Sequence, residues 1–199
     1  MTPPDPHVPP LAGPDAAELL RCARHHVESA VRRQPATAGD LPPALAQIPV
    51  SGVFVTLRNG DDLRACIGNW HHPHPTPLGP ALTLAARTAA TGDFRFPPIH
   101  APELPRLSLE VSVLHSPRAI EAAGEDRTRA VAVGRHGLVV EAPGHRGMLL
   151  PQVAGELGWD VRTFLAHAAR KAGLPDDAWR SPRTILTTFE AVRVAEPPP

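Results

Sequence analysis

The sequence predicts an α+β fold, a mostly antiparallel sheet flanked by helices, and three observations carry that reading. Apolar and polar residues alternate over Val50 to Arg58, Leu63 to Gly68 and Arg106 to Leu114, the period of half-buried strands, and Thr184 to Val194 supplies a last strand. Helical spacing occupies residues 15 to 33, 78 to 90 and 161 to 172. The two kinds of segment are interspersed without a regular strand-helix-strand rhythm, which argues against a parallel sheet. With 199 residues, 42% of them hydrophobic, the chain has enough apolar mass for one domain or one domain with a small appendage.

The elements follow in order. Residues 1–13 are proline-rich at their start and residues 196–199 end the chain in the same way, so both are expected to be disordered tails around a folded part at 14–195. Asp15 and Glu18 have capping-box spacing, and Leu19, Leu20, Ala23, Val27, Ala30 and Val31 then recur on one helical face. A Pro/Ala loop leads to the first strand, and Asn59-Gly60 signals a hairpin. A three-residue loop over 59–61 pairs Leu57 with Leu63 and Val55 with Ala65, which gathers the aliphatic side chains on one face. On that register Cys66 faces Phe54, Arg64 faces Thr56, and thiol and guanidinium share the more polar face. Leu78 to Ala90 reads as a helix whose prolines, Pro77 and Pro80, are tolerable only in its first turn, and Phe94 to Pro98 stops it.

Farther along, Gly137 to Glu141 and Gly147 to Leu150 flank Pro143-Gly144 as a second hairpin. Gln152 to Leu157 and Val161 to Ala172 read as helices, the second stopped by Gly173. Most of the 26 prolines are read as compositional bias that marks element boundaries.

Formal charge is zero, so no global basic field draws the chain to nucleic acid or to an anionic membrane. No run of 18 apolar residues is present for a membrane span, and residues 1–10 lack the basic and apolar regions of a signal peptide, which points to the cytosol. Two cysteines, Cys22 and Cys66, are too few for a disulfide framework. Walker, GxGxxG, HExxH and GxSxG motifs are absent, and nothing in the chain calls for a cofactor.

Chemistry concentrates at Leu63-Arg64-Ala65-Cys66-Ile67-Gly68. A thiol is only a few per cent thiolate at neutral pH, and a cation beside it raises that fraction, so Cys66 with Arg64 is a candidate nucleophile. Gly68 leaves room for a ligand to approach the backbone. The competing reading is a buried structural cysteine. Asp93, Arg95 and Glu110 are candidate binding residues able to orient a carboxylate or phosphate, or else an ion pair that ties the 93–98 loop to the sheet. His71, His72 and His74 follow Cys66 at a spacing suited to zinc, yet the interleaved prolines make an exposed histidine-rich loop the simpler reading, and no metal site is assigned. Trp70, Trp159 and Trp179 are read as core or subdomain anchors rather than stacking platforms.

These blocks together resemble the AMMECR domain family. Gly52 to Leu57, Leu63 to Gly68, Asp93 to Pro98, Glu110 to Leu114, Gly134 to Leu138, Leu149 to Val153, Gly158-Trp159-Asp160 and Lys171 to Leu174 stand in the family's order and cover about residues 15 to 195. The resemblance implies a larger domain with a smaller subdomain, and partners in the form of a Memo-like protein and a radical SAM protein, acting on a small-molecule ligand or a modified side chain. It adds His136, inside one of the blocks, as a catalytic candidate beside Cys66 and Arg64; the binding candidates read from the residues themselves are Thr56, Gly68, Asp93, Arg95 and Glu110. It implies no particular reaction, and a non-catalytic interaction domain with a structural Cys66 stays open. The chain departs from the family pattern at Ala65, where glycine is usual, at Phe94, where proline is usual, and at Ala169, where a cysteine is common, so a mechanism needing two cysteines from these blocks does not transfer.

Overall fold

A computed structural model describes residues 11–35 and 40–197. Most of both expected tails, residues 1–10 and 198–199, lies outside the described residues. Inside them the tails are shorter than expected, because Leu11 is buried and Glu196 is tied to the Arg24 guanidinium and the Leu109 amide. The fold is α+β, with six strands hydrogen-bonded in the order Asp62–Trp70 (β3), Gly52–Asn59 (β2), Leu107–Ala119 (β5), Ile185–Ala195 (β8), Gly137–Ala142 (β6) and His145–Leu149 (β7), and a separate two-stranded ladder. The described residues divide into two compact units: one holds those up to Leu114 and from Val192 onward, the other His115–Ala191.

In the first unit, helix α1 (Pro14–Val31) starts on Pro14, whose missing N–H and fixed φ suit a first helical position. Asp15 therefore already lies inside the helix, and the expected capping box does not form; Glu18 pairs with Arg21 instead. Strands β2 (Gly52–Asn59) and β3 (Asp62–Trp70) form the hairpin, but through a two-residue turn, Gly60-Asp61. Arg58 pairs with Leu63 and Leu57 with Ala65, which leaves Arg64 as the extra residue of a β-bulge. The bulge keeps Ala65 and Ile67 on the core side, opposite Leu57 and Val55 instead of Val55 and Val53, while Leu63, expected there opposite Leu57, pairs with Arg58. Turn and bulge together move every partner beyond Arg64 by two positions from the expected register, so Cys66 faces Thr56 and Gly68 faces Phe54.

A short helix α2 (Pro43–Ala46) and a ladder of β1 (Pro49–Val50) with β4 (Thr76–Pro77) occupy segments whose two- to four-residue length leaves no readable period. Helix α3 (Leu78–Thr91) carries Pro80 in its first turn and buries Leu78, Ala81, Leu82, Ala85, Ala86, Ala89 and Ala90. Its core partners are Leu19, Ala23 and Val27 of α1, Val53, Val55 and Leu57 of β2, and Leu109, Val111 and Val113 of β5 (Leu107–Ala119). Strand β5 runs beyond the expected end at Leu114, passing through Ser116 at φ 50.

In the second unit, β6 (Gly137–Ala142) and β7 (His145–Leu149) turn at Pro143-Gly144, where Gly144 takes φ 78. Strand β8 (Ile185–Ala195) pairs antiparallel with β6. Helix α4 (Pro151–Glu156) precedes α5 (Val161–Lys171), which Asp160 caps by accepting the Thr163 N–H at 2.7 Å and which Gly173 ends at φ 74. Leu138, Val140, Phe164, Leu165, Ala168, Trp179 and Leu186 form the core. Arg127 is buried here with no carboxylate on it: its guanidinium donates to the carbonyls of Ala122, Trp179 and Thr184 at 2.5 to 2.8 Å. No helix among the described residues is long and apolar enough to cross a membrane.

Candidate functional site

Cys66 lies in the middle of β3, half-buried, on the side of the strand opposite Ala65 and Ile67. The Thr56 hydroxyl, directly across on β2, donates to its sulfur at 3.4 Å. One strand farther, Glu110 of β5 pairs with Thr56, so thiol, hydroxyl and carboxylate occupy one row across three strands. Arg193 stands 3.6 Å from the Glu110 carboxylate. A cavity of about 290 Å³ is lined by Thr56, Arg58, Ser108 and Glu110, which makes Thr56 the link between this opening and the sulfur.

The strand is held at Cys66 by the loop after α3. Asp93 accepts the Cys66 N–H at 2.9 Å, and Arg95 donates to the Cys66 carbonyl at 2.8 Å. Asp93 and Arg95 also pair with each other at 2.7 Å, and with its side chain 3% exposed the Asp93 carboxyl is lowered to about 2, chiefly by that guanidinium. Asp93 in turn keeps Arg95 firmly charged. This is the ion pair anticipated as one reading of these residues, a clamp on the sheet edge, and it brings Arg95 to the backbone of Cys66.

Arg64 is placed differently from the expectation. Being the bulge residue, it does not follow the alternation that would set it beside Cys66; its guanidinium binds Glu103 at 2.8 Å and the carbonyls of Pro97 and Pro98 at 2.9 and 3.1 Å. It lines a cavity of about 280 Å³ with Ala65, Ala89 and Asp93, a lining that excludes Cys66. Asp93 and Arg64 thus share a cavity, whereas Glu110 lines another. Gly68 is explained by Phe54: a Cβ at 68 would stand 2.3 Å from the Phe54 ring, so the close approach is made by a phenyl of the protein's own chain rather than by a ligand.

His136 belongs to the second unit, and its Nδ1 accepts the Ala132 N–H, the turn arrangement of a histidine bonded to nearby backbone. Burial, with Arg135 beside it, depresses its pKa. Among the described residues no three His, Cys, Asp or Glu side chains converge to hold a metal ion; His71 has its Nε2 buried and unpartnered, and His72 packs its ring on Trp70. Cys22 is sealed in the core, and burial pushes its thiol up to about 11. Trp179 is a core side chain, and Trp159 stacks on His167 at 3.9 Å.

Sequence reasoning missed Glu103 and Arg193. Glu103 carried a readable signal, its spacing of three residues from His100, whose N–H it accepts at 2.7 Å at the start of a 3-10 turn. Arg193 carried none, because its approach to Glu110 depends on pairing between strands far apart in the chain.

A family model described as AMMECR1 matches residues 20–194. A protein of Methanothermobacter thermautotrophicus is 42% identical over 186 residues, covering 92% of this chain and 94% of the relative. One of Thermococcus gammatolerans is 45% identical over 181 residues, covering 87% and 86%. The crystal structure of an uncharacterised protein from Pyrococcus horikoshii superposes with a TM-score of 0.81 at 41% identity, covering 91% of each chain.

Proposed function

Because this chain belongs to the AMMECR1 family, we propose that its activity centres on the Cys66 thiol, acting with a Memo-like protein and a radical SAM protein on a small molecule or a modified side chain in a reducing compartment such as the cytosol. The observation that carries the reading is the contrast between the two cysteines. Cys22 is sealed in hydrocarbon, while Cys66 is half-buried, accepts a hydroxyl hydrogen bond and has its backbone clamped from both sides. Side-chain and backbone partners that fix a half-buried thiol in one position are what a reacting group needs, and packing alone does not require them. Glu110, one position beyond Thr56, supplies a carboxylate for orienting a cationic or hydroxyl-bearing group of the ligand.

Iodoacetamide labelling across pH, read by peptide mass spectrometry, tests the reading with Cys22 as internal control. Cys66 is expected to alkylate in the folded protein by pH 8 while Cys22 stays unmodified until the chain is denatured. Cys66→Ser is expected to abolish labelling and leave the melting temperature within a few degrees. A folded protein inert at pH 8, or a large loss of stability in the serine variant, leaves the interaction-domain reading in its place. Co-elution with the Memo-like and radical SAM proteins of the same genome tests the partners separately.

A further inference from the structure

We infer that the loop following α3 is a self-association surface, on which Phe94 of one copy enters the mostly apolar cavity beside Phe94 of a second copy. This goes beyond the thiol reading and does not depend on it. Phe94 is 94% exposed, the most exposed of the large apolar side chains among the described residues. Its segment is fixed: Asp93 and Arg95 grip β3 on either side of it, Phe96 N–H closes a turn on the Asp93 carbonyl at 3.1 Å, and Arg64 holds the Pro97 and Pro98 carbonyls. A phenyl presented on a rigid loop loses little conformational freedom on docking, which is the property of an interface anchor.

The same patch supplies the receptor. The 280 Å³ cavity is lined mostly by apolar groups, Ala65, Ala89, Ala90, Phe96, Pro98 and Ile99 among them, with the ion-paired Arg64 and Asp93 at its edge and Phe94 in its wall. A cavity of about 150 Å³ is enough to take benzene, so a phenyl fits. Knob and hole on one patch satisfy what a two-fold interface requires, since each copy must offer both.

Charge favours a second copy over a charged partner. The two guanidiniums at the patch are neutralised within the chain, Arg95 by Asp93 and Arg64 by Glu103, and the whole chain has formal charge zero. Two such patches meet without like-charge repulsion and without buried unpaired charge.

Sedimentation equilibrium on the full chain over a concentration series tests this. A monomer–dimer equilibrium is expected, and Phe94→Ser, with unchanged circular dichroism, is expected to raise the dimer Kd at least about a hundredfold because each dimer loses two buried phenyls. Phe94→Leu, which keeps an apolar knob, is expected to retain most of the association. A wild-type chain that stays monomeric at millimolar concentration, or a dimer that Phe94→Ser leaves intact, overturns the inference, and so does a monomer whose phenyl is found lodged in a different protein.

Discussion

At the scale of single residues, the site is governed by how few polar groups are left to choose their own geometry. Cys66 receives the Thr56 hydroxyl at its sulfur, Asp93 at its N–H and Arg95 at its carbonyl, so both the backbone and the side chain of one residue are held by three others. Asp93 is the centre of that arrangement, and it makes stability depend on pH. Its carboxyl falls from 3.8 to about 2 on folding, which corresponds to roughly 2 kcal/mol. The folded value is the lower one, so this stabilisation is complete above the unfolded value of 3.8 and disappears as pH falls through 2. Asp93→Asn is therefore expected to lower urea-unfolding stability by about 2 kcal/mol at pH 7 and by progressively less as the pH drops from 4 to 2. An equal loss across that range contradicts the assignment.

At the scale of elements, periodicity located the long ones because burial on one face imposes it. Strands β2, β3, β6 and β8 and helices α1, α3 and α5 lie within a few residues of their expected spans, since each buries an apolar stripe wide enough to read. The hairpin register was not legible for a physical reason. A three-residue loop and a two-residue turn with a bulge both keep Ala65 and Ile67 on the face of Val55 and Leu57, and they differ in where Leu63 and Arg64 point and in which residue stands opposite Cys66. The resulting geometry decides the candidate site, because the bulge hands Arg64 to Glu103 and gives Cys66 to Thr56. Arg127 is the corresponding feature of the second unit, fastening three separate backbone segments through their carbonyls. Replacing it with methionine keeps the bulk and removes the charge but leaves those carbonyls unpaired, so Arg127→Met is expected to cost about 3 kcal/mol in urea unfolding. Arg127→Lys is expected to recover only part of that, because an ammonium does not match the planar fork.

At the scale of the whole molecule, 20 basic residues balance 20 acidic ones, while 11 histidines wait to add charge below neutrality. Solubility in polyethylene glycol is therefore expected to be lowest near pH 7 and to rise below it, less than eleven ordinary imidazoles would give because burial depresses the pKa of His26, His71 and His136. A flat profile is the contrary result. Composition, periodicity and block order determined the α+β class, the long elements, the family and the stretch around Cys66, because each is written locally in residue type and spacing. Only the tertiary structure decided that Arg64 leaves the thiol, that Thr56 and Glu110 form its row, that Asp93 and Arg95 clamp its backbone and that Phe94 stands in solvent. Those contacts join strands and loops through pairings of one register among several that bury the same apolar surface, and local pattern is blind to the choice between them.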